Sequence, residues 1–382
     1  MRFALTNGLV LTDAGFVEGR AVLVENGRIS ALPAADAVPG DVVRHDLEGA
    51  MLVPGFIDTQ VNGGGGVLFN DAPDVETIRA IGAAHAAYGT TGFLPTLISD
   101  DLRVIEAGIA AVDAAIRAGV PGVLGIHVEG PFINADRRGI HDAARIRPLD
   151  DAGLAALAGL RTGRTVVTIA PEMTTPDTVR RMVASGLIVS AGHSNGSYAE
   201  ISAAIDAGLT GFTHLFNAMS QLGNREPGAV GAALASEAVW CGLIVDGIHV
   251  SPVTMRLALR CKPANRFMLV TDAMPTTGSA RSDFLLQGRR IFALDGRLVD
   301  AEGTLAGSDL TMIDAVRNAV SLLGVGMETA FTMASAAPAA FLGLGASHGR
   351  IAPGHAASLL CIGEDFEIRR SWIDGRQVIG LP

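Results

Sequence analysis

Short apolar runs alternate with helical stretches through the middle of the chain, from about residue 50 to residue 349. The runs are LVPGFIDTQVN, TGFLPT, GVLGIHVEGP, VVTIAPE, LIVSAGHS, GFTHLFNAM, WCGLIVDGIH and RFMLVTDAM. Because they are almost continuously apolar, they predict strands buried on both faces, as in a parallel sheet. Many of the helical stretches, such as SYAEISAAIDAG, end in the glycine that favours a helix C-terminus. Eight such units predict a (β/α)8 TIM barrel.

The two ends of the chain have a different pattern, in which β-type runs are separated by tight turns. Hairpin dipeptides mark these turns: Asn7-Gly8, Asn26-Gly27 and Asp374-Gly375. Residues 1–50 and 350–382 are each too short to enclose a core, so we predict that they form one small β-sandwich domain together. The barrel then covers residues 51–349. Its segment 275–310 is Gly-rich and strand-like, and we expect it to fold over the mouth of the barrel.

The composition narrows the class of partner. The 382 residues are 49% hydrophobic, which is enough for a barrel-sized core and a smaller module. A formal net charge of −10 disfavours binding to nucleic acid or to an acidic membrane. We find no signal peptide and no apolar run of the roughly 20 residues that span a membrane. The cysteines, Cys241, Cys261 and Cys361, are widely spaced, which predicts buried reduced thiols in a cytoplasmic protein. We expect its partner to be a small molecule.

Four side chains that carry chemistry end predicted strands: Glu129, His193, His214 and Asp272. The carboxyl ends of barrel strands meet at one face, where enzymes of this fold build their sites. A Glu with two His suits one divalent metal with an open position; zinc is the first choice, and Fe, Co or Mn fit the same ligands. Asp272 is then a candidate proton shuttle. The structural alternatives are a salt bridge for Glu129 and a helix N-cap for Asp272.

Other residues argue for a single metal. Gln60 and Asn62 end the first strand, and amides are poor zinc ligands. The only lysine, Lys262, precedes a predicted strand, so we expect it at the amino end of the barrel, away from the metal. The two amides could instead bond loop backbone. His127 lies two residues before Glu129 and is a candidate to support a ligand from behind.

Three further side chains lie in loops after predicted strands: His141, His249 and Arg225. We expect His141 to polarise a carbonyl group, and His249 and Arg225 to bind an anion. The alternative for each of them is an ordinary surface role. The remaining histidines, which are His45, His85, His348 and His355, are expected to be peripheral.

The motifs together resemble a known family. PGFIDTQVNGGGG, HVEGPFIN, GIHDA, AGHS, THLFNAM, REPGAVG, VDGIH, VTDAM and GTLAGSDLTM occur in the order found in N-acetylglucosamine-6-phosphate deacetylases of the amidohydrolase superfamily. The resemblance implies removal of acetate from an amino-sugar phosphate in amino-sugar catabolism or cell-wall recycling. It also implies a metal on Glu129, His193 and His214, with Asp272 as general base and acid.

The resemblance further implies substrate contacts and an assembly. The implied contacts are Ile140, His141, Asn217, Ala218, Arg225, Asp246, Gly247, Ile248, His249, Leu305, Ala306 and Gly307. Members of this family are typically homodimers, in which Arg225 would reach the neighbouring site. Some members carry His-x-His at the first strand and two metals, whereas this chain has Gln60 and Asn62.

Three alternatives stay open at this stage. Hydantoinase-type and deaminase-type enzymes need His-x-His at the first strand, which this chain lacks. An N-acetylgalactosamine-6-phosphate deacetylase would perform the same reaction on the epimer. A catalytically silent sugar-phosphate-binding barrel would have lost a ligand or Asp272, and none is lost.

Overall fold

The computed structural model describes residues 2–379, and its centre is a parallel barrel. Eight strands form one sheet whose neighbours follow the chain order. A parallel bridge from Val61 to Ala273 joins the first strand to the segment after the eighth. Barrel strands 1 to 8 are Phe56–Val61, Thr90–Ile98, Gly125–Glu129, Arg164–Ile169, Ile188–Ala191, Gly211–Phe212, Trp240–Leu243 and Phe267–Leu269. The predicted (β/α)8 fold is confirmed, and each predicted run contributes its barrel strand.

A helix follows each barrel strand, the last one after the inserted segment. These helices are Val75–Ala86, Leu102–Arg117, Asp151–Leu157, Pro176–Ala184, Tyr198–Asp206, Gly228–Ala235, Pro252–Cys261 and Met312–Leu323, with Met327–Ala334 and Ala336–Phe341 after them. Short 3-10 turns occupy Ala35–Ala37, Ala135–Arg137, Ala143–Arg145, Pro171–Met173 and Ala264–Arg266. Local signals fix several ends: Ser197 and Glu200 form a capping box, and Gly324 ends its helix in the left-handed conformation.

The two ends of the chain form two sheets, the first from N-terminal strands alone and the second from strands of both ends. The first has the order Arg28–Ala31, Val22–Glu25, Arg2–Thr6, Val43–Asp46, and the second has the order Arg376–Ile379, Ile368–Ile373, Leu359–Ile362, Met51–Pro54, Leu9–Thr12, Gly15–Val17. One apolar cluster, which includes Phe3, Val24, Leu52 and Trp372, joins them. We propose that these sheets are the small domain of residues 1–50 and 350–382, of which Met1 and residues 380–382 lie outside the described part.

The first predicted run, LVPGFIDTQVN, is divided between the two parts of the molecule. Met51–Pro54 pairs with Leu359–Ile362 in the six-stranded sheet, whereas Phe56–Val61 begins the barrel. The chain crosses at Gly55, where a Cβ atom would lie 2.0 Å from Thr91 Oγ1. Only glycine fits so close to the second barrel strand, and a continuous apolar run cannot reveal that crossing.

The segment after barrel strand 8 forms a small antiparallel sheet of Asp283–Leu286, Arg289–Leu294 and Arg297–Val299. A second short pair, Gly63–Gly64 with Val67–Leu68, lies after barrel strand 1. Leu286, Ile291 and Leu298 of the inserted sheet share an apolar cluster with Ile140 and Met274 at the carboxyl face. The inserted sheet therefore packs onto the mouth of the barrel, as the sequence predicts.

Lys262 lies at the amino end of the barrel, opposite the strand ends that carry Glu129, His193 and His214. Its ammonium donates to the carbonyls of Ala233, Ser236 and Val239, at 3.0, 2.7 and 2.8 Å. The side chain is buried, and it caps the end of helix Gly228–Ala235. This contact set confirms that the single lysine lies at the amino end of the barrel, away from Glu129, His193 and His214.

One minor expectation, that all three thiols are buried, is wrong. Cys261 is exposed because it ends the helix Pro252–Cys261 on its solvent side, whereas Cys241 and Cys361 are buried as expected. His85 is fully buried, with Nε2 2.9 Å from the carbonyl of Gly63, and His355 is also buried. Helix periodicity gives the face that packs inward, but the loop that covers His85 is known only in the folded chain. Within residues 2–379, no helix combines the length and apolar character needed to cross a membrane.

Candidate active site

Glu129, His193 and His214 meet at one point above the barrel. Oε1 of Glu129 lies 3.0 Å from Nε2 of His193 and 2.8 Å from Nε2 of His214, and the two Nε2 atoms are 3.0 Å apart. All three side chains are buried. The ends of barrel strands 3, 5 and 6 therefore bring together the three residues that the sequence singles out as metal ligands.

The hydrogen bonds around this cluster fix what its atoms offer. Nδ1 of His193 lies 2.8 Å from the carbonyl oxygen of Arg137, which can only accept, so Nδ1 carries the proton and Nε2 presents a lone pair. A carboxylate oxygen and an imidazole lone pair thus face the same point. Tetrahedral zinc would separate its ligand atoms by about 3.3 Å, which is close to the spacing in the structure. The donor set fits one divalent cation.

The charge preferences of the cluster point the same way. Burial would raise the pKa of Glu129, but the contacts of its carboxylate with the imidazole rings of His193 and His214 hold that pKa well below its usual value. Burial would lower the pKa of His214, yet the adjacent carboxylate of Glu129 raises it. Positive charge is therefore stabilised at this point, whether it is a proton or a metal ion that supplies it.

The backbone at three of the strand ends is strained. His193, His214 and Asp272 have positive φ angles of 48°, 30° and 53°. Non-glycine residues pay about 1–2 kcal/mol for the left-handed region, and such residues concentrate at functional sites. This conformation ends strands 5, 6 and 8 earlier than the apolar runs predict and turns the polar side chains into the cavity.

Asp272 lies beside this cluster and is held by the two amides of strand 1. Oδ1 of Asp272 accepts from Nε2 of Gln60 at 3.1 Å and from Nδ2 of Asn62 at 2.6 Å, and the same Gln60 nitrogen donates to Oε2 of Glu129 at 3.1 Å. Both partners of Gln60 are carboxylates, which accept only, so its nitrogen must face them. Burial, followed by the negative charge of Glu129, raises the pKa of Asp272 to about 6.

His141 approaches the same cluster from the loop after strand 3. Its ring centroid lies 4.4 Å from that of His193. The backbone N–H of Ser99 donates to Nδ1 of His141 at 3.2 Å, so the neutral ring carries its proton on Nε2. Burial, with a smaller effect of His193, lowers the pKa of His141 to about 3, which keeps the ring neutral.

His127 is buried deeper in the barrel. Its ring nitrogens lie 3.3 Å from the hydroxyl of Thr96 and 2.7 Å from that of Thr168. Within residues 2–379, its hydrogen bonds therefore go to hydroxyl groups and to none of the three proposed ligands. Burial lowers the pKa of His127 to about 4, so it adds no positive charge at neutral pH.

A cavity of about 460 Å³ opens above these groups. Seven of the sequence-predicted contacts line it: Ile140, His141, Asn217, Ala218, His249, Leu305 and Gly307. Eight lining residues were not predicted: Ile98, Asp136, Arg137, Gly139, Ile244, Met274, Gly303 and Thr304. Of these, Arg137 could have been found from the sequence, because it lies in the loop that follows the motif HVEGPF. Its guanidinium Nε donates to Oδ1 of Asn195 at 3.0 Å.

The other predicted contacts do not line this cavity. Asp246 instead holds His249, with Oδ2 2.6 Å from Nδ1, and its Oδ1 accepts the backbone N–H groups of Ile248 and His249. Gly247 is exposed, and Ala306 is buried in the apolar cluster of the inserted sheet. Arg225 is exposed in the loop between strand 6 and its helix, outside the cavity of its own chain.

Asp58 is a buried carboxyl group that the sequence analysis missed, although a charged residue inside the apolar run GFID was a signal. Oδ2 of Asp58 accepts from the hydroxyl of Thr271 at 2.5 Å, and Oδ1 accepts from the backbone N–H groups of Gln60 and Thr271 at 3.1 and 3.3 Å. These bonds tie strand 1 to the segment that presents Asp272. Burial outweighs them and raises the pKa of Asp58 to about 7.

Comparison with known proteins identifies the family. Residues 51–378 match the amidohydrolase family model, and residues 2–52 match the NagA composite domain. An N-acetylgalactosamine-6-phosphate deacetylase of Shewanella sp. (strain ANA-3) is 42% identical over 96% of this chain and 93% of its own. An N-acetylglucosamine-6-phosphate deacetylase structure from Pasteurella multocida superposes with a TM-score of 0.95 at 32% identity, covering 99% of both chains. A point mutant of the Mycobacterium smegmatis enzyme in complex with N-acetyl-D-glucosamine-6-phosphate gives 0.90 at 31% identity, again covering 99% of both chains.

The pKa of Asp58 predicts a pH-dependent stability. A folded-state pKa of about 7, above the ordinary 3.8, means that the folded protein holds this proton more tightly than the unfolded chain. The resulting stabilisation is complete below pH 4 and is lost as the pH rises through 7. Asp58→Asn keeps the shape and does not titrate, so we expect the wild-type free energy of unfolding to fall relative to the variant by on the order of 4 kcal/mol between pH 4 and 8.

Urea unfolding of both proteins across this pH range measures the effect, and their difference cancels contributions common to both. The exposed substitution Asp36→Asn serves as the control and should follow the wild type. Parallel curves for wild type and Asp58→Asn would show that Asp58 is ionised throughout.

Proposed function

The chain belongs to the amidohydrolase family, and we propose that it hydrolyses N-acetyl-D-glucosamine 6-phosphate to D-glucosamine 6-phosphate and acetate. The observation that carries this proposal is the buried cluster of Glu129, His193 and His214 beside Asp272, at the base of a cavity of sugar-phosphate size. Family membership makes the protein a metal-dependent hydrolase. Its relatives act on N-acetylated amino-sugar phosphates, which supports the proposed substrate class.

One divalent cation per chain is proposed, held by Oε1 of Glu129 and Nε2 of His193 and His214. When bound there, zinc, or Fe, Co or Mn in its place, would polarise the acetyl carbonyl and lower the pKa of water towards about 7. Gln60 and Asn62 direct N–H groups, not lone pairs, towards the carboxylates of the site. A second cation at strand 1 would face those N–H groups, which is why we propose a single metal.

Asp272 is the proposed general base and general acid. The side-chain hydrogen bonds of Asp272 within residues 2–379 end on Oδ1, so Oδ2 is left to take the proton of the attacking water. As the new C–O bond forms and the C–N bond breaks, the same proton passes to the departing nitrogen, and acetate and the amine are released. A pKa of about 6 suits both transfers near neutral pH.

His141 is the proposed donor to the carbonyl oxygen. Its Nε2–H can donate to the oxygen as negative charge develops there. One such donor lowers an acyl-transfer barrier by about 3–4 kcal/mol. His249, held by Asp246, is proposed to bind the phosphate or a sugar hydroxyl together with Asn217, Ala218 and the Leu305–Gly307 segment. His127 is proposed to act only through its hydrogen bonds to hydroxyl groups in the barrel core.

Arg225 is proposed to bind the phosphate of a neighbouring subunit in a homodimer. It is exposed and lies outside the cavity of its own chain, whereas a phosphate dianion is best matched by a bidentate guanidinium. The exposed Leu222 of the same loop gives this segment an apolar side that a partner could cover.

N-acetyl-D-galactosamine 6-phosphate is the second candidate substrate, favoured by the relative that is 42% identical. The two sugars differ only in the orientation of one hydroxyl group, so the chemistry of the metal and Asp272 is common to both. A cytoplasmic role in amino-sugar catabolism or cell-wall recycling is proposed for either substrate, and free thiols fit a reducing compartment.

A deacetylase assay on both epimers tests the function. We expect acetate release from the gluco epimer, with one metal per chain measured by elemental analysis on the same preparation. Faster turnover of the galacto epimer would select the second candidate, and two stoichiometric metals would refute the single-metal site. A metal-loaded protein that binds either sugar phosphate without releasing acetate would instead be the silent binding barrel.

Asp272→Asn is expected to lower kcat by about 10² to 10⁴ fold, because one group serves both proton steps. Metal content should stay near one per chain, since Asp272 is not among the three proposed ligands. Asp71→Asn, an exposed carboxylate in the loop after strand 1, is the matched control and should leave turnover unchanged. Near wild-type turnover in Asp272→Asn would remove the assignment.

Arg225→Ala is expected to raise KM for the phosphorylated sugar much more than for N-acetylglucosamine itself, while the exposed Arg260→Ala changes neither. Mixing Arg225→Ala with Asp272→Asn tests whether the arginine acts across the dimer. If Arg225 reaches the partner's site, a mixed dimer contains one site with both wild-type groups and activity returns; if it acts in its own site, every site lacks one of the two groups. No recovery in mixed dimers places Arg225 in its own site, and equal losses on both sugars remove the phosphate role.

A further inference from the structure

Ser99 follows barrel strand 2 and is in contact with His141. Its hydroxyl oxygen lies 2.7 Å from Nδ1 of His141, and its backbone N–H donates to the same nitrogen at 3.2 Å. Ser99 is fully buried, and His141 is its side-chain hydrogen-bond partner within residues 2–379. Two donors from one residue therefore converge on one ring nitrogen.

These two contacts determine the tautomer of the ring. A backbone N–H cannot accept a hydrogen bond, so Nδ1 must present its lone pair and the proton of the neutral ring must lie on Nε2. Without these donors, either nitrogen could carry the proton and the ring could turn about its χ angles. Only the Nε2–H form offers the cavity a donor.

The surrounding chain is shaped to keep the Ser99 hydroxyl in place. Gly130 has a φ of +83°, and a Cβ atom there would lie 2.2 Å from Oγ of Ser99. Glycine at this position leaves the space that the hydroxyl fills. From the other side, Nε2 of Gln287 in the inserted sheet's hairpin donates to the carbonyl of Ser99 at 2.7 Å. The peptide of Ser99 thus links the inserted sheet to His141.

We infer that Ser99 is a positioning residue that holds His141 with Nδ1 as acceptor and Nε2–H towards the substrate carbonyl, and that Gln287 of the inserted sheet steadies Ser99. The inference rests on the proposed function, in which His141 polarises the scissile carbonyl. Ser99 is not among the residues that line the cavity, and its hydroxyl bonds His141, so its effect on turnover must pass through His141. This dependence on a second residue makes the inference testable.

The first test is kinetic. Ser99→Ala should lower kcat by about threefold to tenfold, the size of one net hydrogen bond, with metal content intact and KM changed less than about twofold. Gln287→Ala should give a smaller decrease in kcat. In a His141→Gln background, Ser99→Ala should cost less than about twofold more, because the group it positions is gone. Ser371→Ala, a buried serine in the six-stranded sheet, is the matched control and should change nothing.

The second test reads the ring directly. Nitrogen NMR of histidine-labelled, metal-loaded protein, with His141 assigned by its Gln variant, should show Nδ1 unprotonated and Nε2 protonated. Ser99→Ala removes the hydroxyl donor but keeps the backbone N–H, so it should raise the population of the other tautomer or the rate of exchange without abolishing the Nε2–H form. A wild-type Nδ1–H tautomer would overturn the inference whatever the activity.

The two tests separate the inference from the proposed function. Full additivity of Ser99→Ala and His141→Gln in an active deacetylase would mean that Ser99 acts only on the fold, and the inference would fail alone. A lower metal content or a lower thermal midpoint in Ser99→Ala, but not in Ser371→Ala, would also show that Ser99 acts only on the fold. A wild-type enzyme without deacetylase activity would overturn the proposed function, while the NMR result would still decide the tautomer.

Discussion

One carboxylate oxygen and two imidazole nitrogens that meet at one buried point are the constraint on which the rest of the structure depends. Oε1 of Glu129 and Nε2 of His193 and His214 lie within 3.0 Å of one another. Such an arrangement is stable only with positive charge at its centre, so the fold must bind a cation or a proton there. The positive φ angles of both histidines show that the backbone is held against its own preference to make this point.

Residues at the junction of barrel strands 1 and 8 bind the negatively charged groups around this point. Gln60 places one amide nitrogen between Glu129 and Asp272, where it donates to both buried carboxylates. Asp58 bonds both strand 1 and Thr271 and so fixes the backbone next to Asp272. The amides at strand 1 therefore hold one oxygen of Asp272, and the proposed role of Asp272 as base uses the other.

The inserted sheet and the loop after strand 3 complete the site from above. Ile140 and Met274 pack with Leu286 of the inserted sheet, and Gln287 bonds the peptide of Ser99 beside His141. The inserted sheet and the polar residues of the site are thus connected through a few direct contacts. The two sheets built from the chain ends lie outside this site and hold the termini together around their own apolar cluster.

The sequence by itself determined the barrel, the residues of the cluster and the inserted cover, because burial on both faces gives a strand an unbroken apolar run and because the carboxyl ends of barrel strands share one face. It also indicated one metal through Gln60 and Asn62. Only the tertiary structure decided which loop residues share the cavity, that Arg225 lies outside it, and that Ser99 and Asp58 act from behind. These depend on contacts such as Ser99 with His141, 42 positions apart. No local pattern encodes such contacts, since they follow from barrel closure and from backbone conformations that run against intrinsic preference.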